Sequence, residues 1–172
     1  MKDELITIAV SLLLFLPTLA MRSDQSHRFS FENGMEEWCP RGTDLDDPPI
    51  EWSIERTQEI AWDGNASLKL YLENYNDAGK IWIEQSFDVS PNTRYHVNVR
   101  YSFASAAYGD FNLWVIIAGV SSESPQTAED LTYQGDAGNG ADEDVGYVWL
   151  DKSYDFRLKS GTDGAIYVFI GI

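Results

Sequence analysis

The chain has 172 residues, of which 12 are basic and 28 acidic, so its formal net charge is −16. This length allows one ordinary domain, and a hydrophobic content of 44% excludes a chain that is disordered over most of its length. The negative charge repels nucleic-acid backbones and anionic lipid surfaces, so we expect neither as a partner.

The N-terminus begins with an apolar stretch over residues 5–20. It is short for a membrane span and has the length of a secretory h-region. We therefore interpret residues 1–22 as a signal peptide or an uncleaved N-terminal anchor; a buried core helix is the remaining alternative. The rest, 23–172, is predicted to be a single domain of a secreted or cell-surface protein, with no membrane insertion apart from the leader.

The single cysteine, Cys39, excludes an intrachain disulfide and metal sites built from paired cysteines. A lone thiol of this kind most often packs as a small apolar side chain, which is the role expected here.

After the leader, apolar and polar side chains alternate with a period of two, which is typical of half-buried strands. The clearest example is 95–103, where Tyr95 through Phe103 alternate with polar residues. In 111–118 we assign Val115 and Ile117 to the core side, with Trp114 and Ile116 opposite. The predicted strand regions are 66–73, 79–88, 95–103, 111–118, 145–150 and 165–172.

Turn residues such as Asn33-Gly34 and Asp63-Gly64 separate these runs at close intervals. Many short strands with turns between them predict an all-β fold, an antiparallel β-sandwich of about eight strands with almost no helix. The proline-rich segment 40–49 is predicted not to be a central strand, and the acidic segment 121–144 to be a long loop.

The order of three short motifs resembles a known family. Phe31-Glu32-Asn33-Gly34 is followed by Trp38, then by the segment from Trp62-Asp63-Gly64 to Lys69, then by a strand running through Pro91 to Tyr95. Over 29–172 the chain resembles the non-catalytic carbohydrate-binding modules of the galactose-binding-like jelly-roll class. The resemblance implies a jelly-roll sandwich, a galactose-binding-domain-like fold, that binds a polysaccharide or glycan.

The same resemblance implies a structural calcium ion (Ca2+) that ties the first strand to the last. Carried over, Glu32 would supply a carboxylate and Lys69 a main-chain oxygen. The family's final aspartate ligand has no counterpart before Ile172, which predicts a chain truncated at the C-terminus or one piece of a larger protein. A second calcium site at Asp136, Asp142 and Asp144 is the alternative to a solvated acidic loop.

The polar sides of the predicted strands suggest a sugar-binding face. Sugars stack their C–H faces on flat aromatic rings, while their hydroxyls bond to amide, guanidinium and carboxylate groups. Two plainer interpretations stay open: the tryptophans pack under a loop, and Arg100 with Glu84 forms a cross-strand ion pair. The predicted carbohydrate-binding residues are Trp82, Glu84, Asn98, Arg100, Asn112, Trp114, Tyr147 and Trp149, with His96 as a structural neighbour.

We found no serine-nucleophile elbow, zinc-protease motif or phosphate-binding glycine loop in the sequence, so no catalytic residue is predicted and the protein is not expected to be an enzyme. The favoured function is a secreted, lectin-like, non-catalytic carbohydrate-binding module that recognises a polysaccharide or cell-surface glycan. The alternative is a structural or adhesive β-sandwich domain of a cell-surface protein.

Overall fold

The computed structural model describes residues 6–7, 25–74, 77–105, 114–138, 141–142 and 146–172. Within these ranges strands are the dominant regular structure, and there is no α-helix. The elements are β1 (Ile6–Thr7), β2 (Cys39–Thr43), β3 (Trp52–Thr57), β4 (Ser67–Leu72), β5 (Lys80–Asp88), β6 (Arg94–Phe103), β7 (Trp114–Ser121), the 3-10 turn η1 (Ala128–Asp130), β8 (Tyr133–Gly138), β9 (Ala141–Asp142), β10 (Gly146–Tyr147), β11 (Leu150–Lys159) and β12 (Ala165–Gly171).

Two five-stranded sheets pack face to face. The first sheet has the order β11-β6-β1-β4-β3 and the second sheet the order β2-β5-β12-β7-β8, while β9 and β10 form a separate two-stranded pair. Every strand pairing is antiparallel. The predicted antiparallel β-sandwich is confirmed, and the jelly-roll connectivity stays a prediction.

The core lies between the sheets and is built by the predicted alternation. In β6, Val97 and Val99 are fully buried, and Leu68 and Leu70 of β4 join them from the same sheet. Alternation works because successive side chains of a strand point to opposite faces. The facing strands of the second sheet add Ile81, Ile83, Phe87, Ile116, Ala118, Val120, Ile166, Val168 and Ile170.

The predicted orientation of β7 is wrong. Ile116 is fully buried in the core, whereas Val115, assigned to the core, is 57% exposed. Both sides of this strand are apolar over 115–118, so the period-two pattern carries no contrast there.

Several strands lie in segments where none was predicted, and β3 (Trp52–Thr57) is one of them. β11 continues through 151–159, a stretch rich in charged residues, and β8 lies within the acidic segment 121–144, which is therefore not one long loop. β2 includes Pro40 and lies at a sheet edge, in agreement with the prediction for 40–49. Cys39 in the same strand is exposed rather than packed.

β1 lies within the predicted leader. Ile6 pairs with Leu68 of β4 and with Phe103 of β6, which places this two-residue strand between them. The other leader residues lie outside the described part of the chain, and cleavage of the leader stays a prediction. No helix in the described residues is both long and apolar enough to cross a membrane.

Candidate functional site

The outer side of the first sheet carries a hydrogen-bonded polar face. Asn98, 8% exposed, donates from Nδ2 to Oδ1 of Asp155 at 3.1 Å and to Oγ of Ser153 at 3.2 Å. Its Oδ1 accepts a bond of 2.7 Å from Nε of Arg100. Arg100 is exposed, so Asn98 fixes the guanidinium while leaving it in contact with solvent.

The same face forms a shallow depression of about 430 Å³ along β6 and β11. Ser102 donates to Oδ1 of Asp151 at 2.6 Å, and these two residues are cross-strand neighbours. Hydroxyl, carboxylate and guanidinium groups are thus side by side at one end of the first sheet. The depression is lined by Arg100, Tyr101, Ser102, Asp151, Lys152 and Ser153.

Two tryptophans meet at this end of the sheet; we call Trp62 and Trp149 the tryptophan pair. Their ring centroids are 6.1 Å apart with 57° between the ring planes, and Trp62 is 48% exposed. Trp149 directly precedes Leu150, the residue paired with Phe103, and is therefore two positions from Asp151 of the Asp151–Ser102 pair. The tryptophan pair therefore lies near the strand end that carries the Asp151–Ser102 pair, and Trp62 offers exposed indole surface there.

Local structure holds Trp62 in place. It lies in the connection from β3 to β4, where Ser67 Oγ donates to the carbonyl of Ile60 at 2.7 Å. Its neighbour Asp63 forms an exposed ion pair with Arg28, a contact that adds little stability because solvent screens it. On β4, Lys69 Nζ lies 3.2 Å from Oε2 of Glu59 in the same connection.

The structure does not bring the predicted sugar-binding residues together. Asn98 and Arg100 lie in β6 of the first sheet, whereas Trp82 and Glu84 lie in β5 of the second. Trp82 is 1% exposed and is an interior side chain, not an exposed platform. The two halves of the predicted set therefore face away from each other on opposite sides of the sandwich.

Glu84 is buried and bonded within the second sheet. Its Oε1 accepts a 2.7 Å bond from Ser124 Oγ and lies 3.7 Å from Nη2 of Arg41. The alternative of a Glu84–Arg100 cross-strand ion pair is wrong, because their strands belong to different sheets. His96 is a structural neighbour as predicted, with Nε2 at 2.9 Å from Oδ1 of Asp155.

The remaining predicted binding residues are partly outside the described chain. Asn112 lies outside it, and for Trp114 only the backbone is described, as the first residue of β7. Tyr147 lies in β10 and is partly buried. Among the predicted aromatic residues whose side chains are described, Trp149 lies next to β11 of the first sheet, at the end that carries the Asp151–Ser102 pair.

The predicted calcium ligands have other contacts. Glu32 Oε1 accepts backbone N–H bonds from Asn65 at 2.6 Å and Ala66 at 3.1 Å. These amides, that of Asn65 foremost, hold the pKa of Glu32 below its ordinary value. Lys69 lies in β4 and pairs with Glu55 of β3. The described residues contain no group of three or more histidine, cysteine or acidic side chains placed to hold a metal, and the calcium site stays a prediction.

Trp62 is not among the carbohydrate-binding residues predicted from the sequence. It was noted only as part of a turn motif next to Asp63-Gly64. A tryptophan beside such a turn is a usable signal, because turn residues lie at the surface and an aromatic ring there is exposed.

Comparison with known proteins adds no relative. No protein-family model matches the chain, and a search of curated proteins finds no significant match.

Proposed function

We propose that this protein binds a glycan, and that its site is the tryptophan pair together with the polar face of the first sheet. The observation that carries the proposal is the contact between Trp62, nearly half exposed, and Trp149, which lies two positions along the chain from Asp151 in the lining of the polar depression. Exposed indole surface next to fixed hydrogen-bonding groups is the combination that sugar recognition requires.

Hydrogen bonding supports the same proposal. Arg100 is oriented by Asn98, and a preset guanidinium fork loses less conformational freedom when it bonds to vicinal hydroxyls. Asp151 can accept further hydrogen bonds. A carboxylate has several acceptor sites, and the bond from Ser102 uses one site on Oδ1. A depression of this open form suits a short stretch of polysaccharide better than an enclosed small molecule.

We further propose that the domain acts by binding and not by catalysis, as a secreted or cell-surface, lectin-like module stiffened by calcium. The resemblance of its motifs to carbohydrate-binding modules supports each of these points. In this proposal the leader directs export, and a bound glycan anchors whatever the domain is attached to.

The test is glycan-array binding by the purified protein, followed by titration of the best oligosaccharide. Trp62→Ala should weaken binding about tenfold to hundredfold, because a central aromatic anchor contributes about 1–3 kcal/mol and each 1.4 kcal/mol is a factor of ten. Trp52, 36% exposed, is a matched control: it lies at the far end of β3, where it pairs with Leu72.

Trp52→Ala should change the dissociation constant less than about twofold, since surface substitutions away from a site have small effects. An array without any bound glycan would contradict the proposal. So would equal losses for Trp62→Ala and Trp52→Ala in protein that melts like the wild type.

The alternative function, a structural or adhesive domain, is favoured by one observation on the second sheet. Val115 is 57% exposed and Tyr133 43% exposed, and both border a depression of about 310 Å³ that reaches Ile172. Exposed apolar side chains grouped in this way are typical of protein contacts. If the array is blank and Tyr133→Ser reduces self-association in sedimentation, the adhesive function is the better description.

A further inference from the structure

A short segment covers part of the outer side of the second sheet; we call residues 122–132 the cover. Its residue Leu131 is 6% exposed and packs with Trp82 and Phe169, away from the main core. Gly119 of β7 permits this close approach, because a Cβ there would collide with the Phe169 ring and lie 2.6 Å from the carbonyl oxygen of Thr132. Trp82 and Phe169 are therefore buried beneath the chain's own cover.

The cover is held together by its own hydrogen bonds. Asp130 Oδ2 accepts bonds from the backbone amides of Gln126 at 3.0 Å and Thr127 at 2.9 Å, and from Thr127 Oγ1 at 3.1 Å. These bonds lower the pKa of Asp130, and they join residues within the cover rather than the cover to the sheet. Contacts to the sheet beneath include the Leu131 side chain and the bond from Ser124 Oγ to Glu84.

Two polar atoms under the cover lack hydrogen-bond partners among the described residues. They are Nε1 of Trp82 and Oε2 of Glu84, each buried from solvent. The two side chains lie two positions apart on the same face of β5. An unpaired buried donor and an unpaired buried carboxylate oxygen both oppose closure, because lifting the cover returns each of them to hydrogen-bonding surroundings.

We propose that the cover opens, and that the face beneath it is a second binding site for a hydroxyl-bearing ligand such as a neutral saccharide. A hydroxyl group supplies both missing partners: its oxygen accepts from the indole N–H of Trp82, and its hydrogen is donated to Oε2 of Glu84. The Phe169 ring provides an apolar wall for ligand C–H groups, and Arg41, half-exposed at the rim, provides a further donor. This site is separate from the tryptophan pair and does not depend on it.

The first measurement is how far Trp82 becomes accessible. Leu131→Ala removes the apolar anchor of the cover, and Glu123→Gln is the matched control because its side chain is exposed in the same segment. Acrylamide quenching of tryptophan fluorescence is measured in each protein with and without the Trp82→Phe substitution. The difference between the two measurements reports the accessibility of the Trp82 ring. We expect the Trp82 contribution to rise at least threefold in Leu131→Ala and to stay unchanged in Glu123→Gln.

The second measurement is binding, with maltotriose, cellotriose and xylotriose as probes, in a Trp62→Ala/Trp149→Ala background that removes the proposed first site. The open fraction limits apparent affinity for a covered site, so Leu131→Ala should tighten binding of at least one probe about tenfold. Glu84→Gln and Trp82→Phe should each reverse that gain. Unchanged quenching would overturn the opening, and raised quenching without probe binding would overturn the second site.

Discussion

The burial of Trp82 predicts a large loss of stability on truncation. An indole ring buries about 150–250 Å², which at about 25 cal/mol per Å² corresponds to roughly 4–6 kcal/mol of transfer free energy. Trp82 is 1% exposed, so nearly all of this is realised, but its unpartnered Nε1 offsets about 1–3 kcal/mol. The difference is about 1–5 kcal/mol. Because truncation also leaves a cavity, we expect Trp82→Ala to lower the free energy of unfolding by about 3–5 kcal/mol, the upper part of this range, as is typical of large-to-small core substitutions.

The measurement is urea unfolding followed by far-ultraviolet circular dichroism, with the slopes of the transitions compared between variants. Trp82→Phe keeps an aromatic ring and removes the unpaired N–H, so its free energy of unfolding should stay within about 1 kcal/mol of the wild type. Trp62→Ala, at an exposed ring, should also cost less than about 1 kcal/mol. A loss below about 1 kcal/mol for Trp82→Ala would refute the assignment of this ring to the interior.

Two further predictions concern pH and salt. Backbone amides of Asn65 and Ala66 hold the pKa of Glu32 below its ordinary value of 4.5, so the stability it adds is present above that pH and is lost as the pH falls below it. Glu32→Gln should flatten the fall in melting temperature between about pH 5 and 3, whereas Glu55→Gln, at an exposed position on β3, should not; equal slopes for both would contradict this. The net charge of −16 should make the melting temperature rise between low salt and about 1 M NaCl. Calcium should raise the melting temperature further, and a chelator should reverse that increase. A melting temperature that does not respond to NaCl, calcium or the chelator would contradict both the charge-repulsion argument and the calcium site.

Alternation predicts a strand well where its two sides differ in polarity. β6 is the clear case, since its odd-numbered residues are apolar and its even-numbered ones polar. β7 shows the opposite, because Val115 to Ala118 is apolar on both sides and the pattern cannot orient it. β11 fails differently: Asp151, Ser153 and Asp155 make its outer side so polar that the stretch resembles a loop.

The candidate site was harder to predict because alternation assigns a face but not a sheet. β5 and β6 are consecutive strands, and both alternate in the predicted phase, yet they belong to different sheets. Their polar sides therefore point to opposite surfaces of the sandwich, which separates Glu84 from Arg100. Membership of a sheet depends on pairing partners distant in sequence, such as β11 for β6 and β12 for β5, and no local pattern encodes that choice.

The two outer faces differ in what covers their aromatic rings, and this difference decides where a ligand can bind. On the second sheet Leu131 covers Trp82, and the ring contributes to stability. Beside the first sheet, Trp62 leaves nearly half of its surface in water. The folded chain therefore gains only part of the free energy that full burial of this ring would give. A ligand that stacks on the Trp62–Trp149 contact would bury that remaining surface. For this reason we propose the first sheet as the primary site, and the covered face of the second sheet as a second site that must open before it can bind.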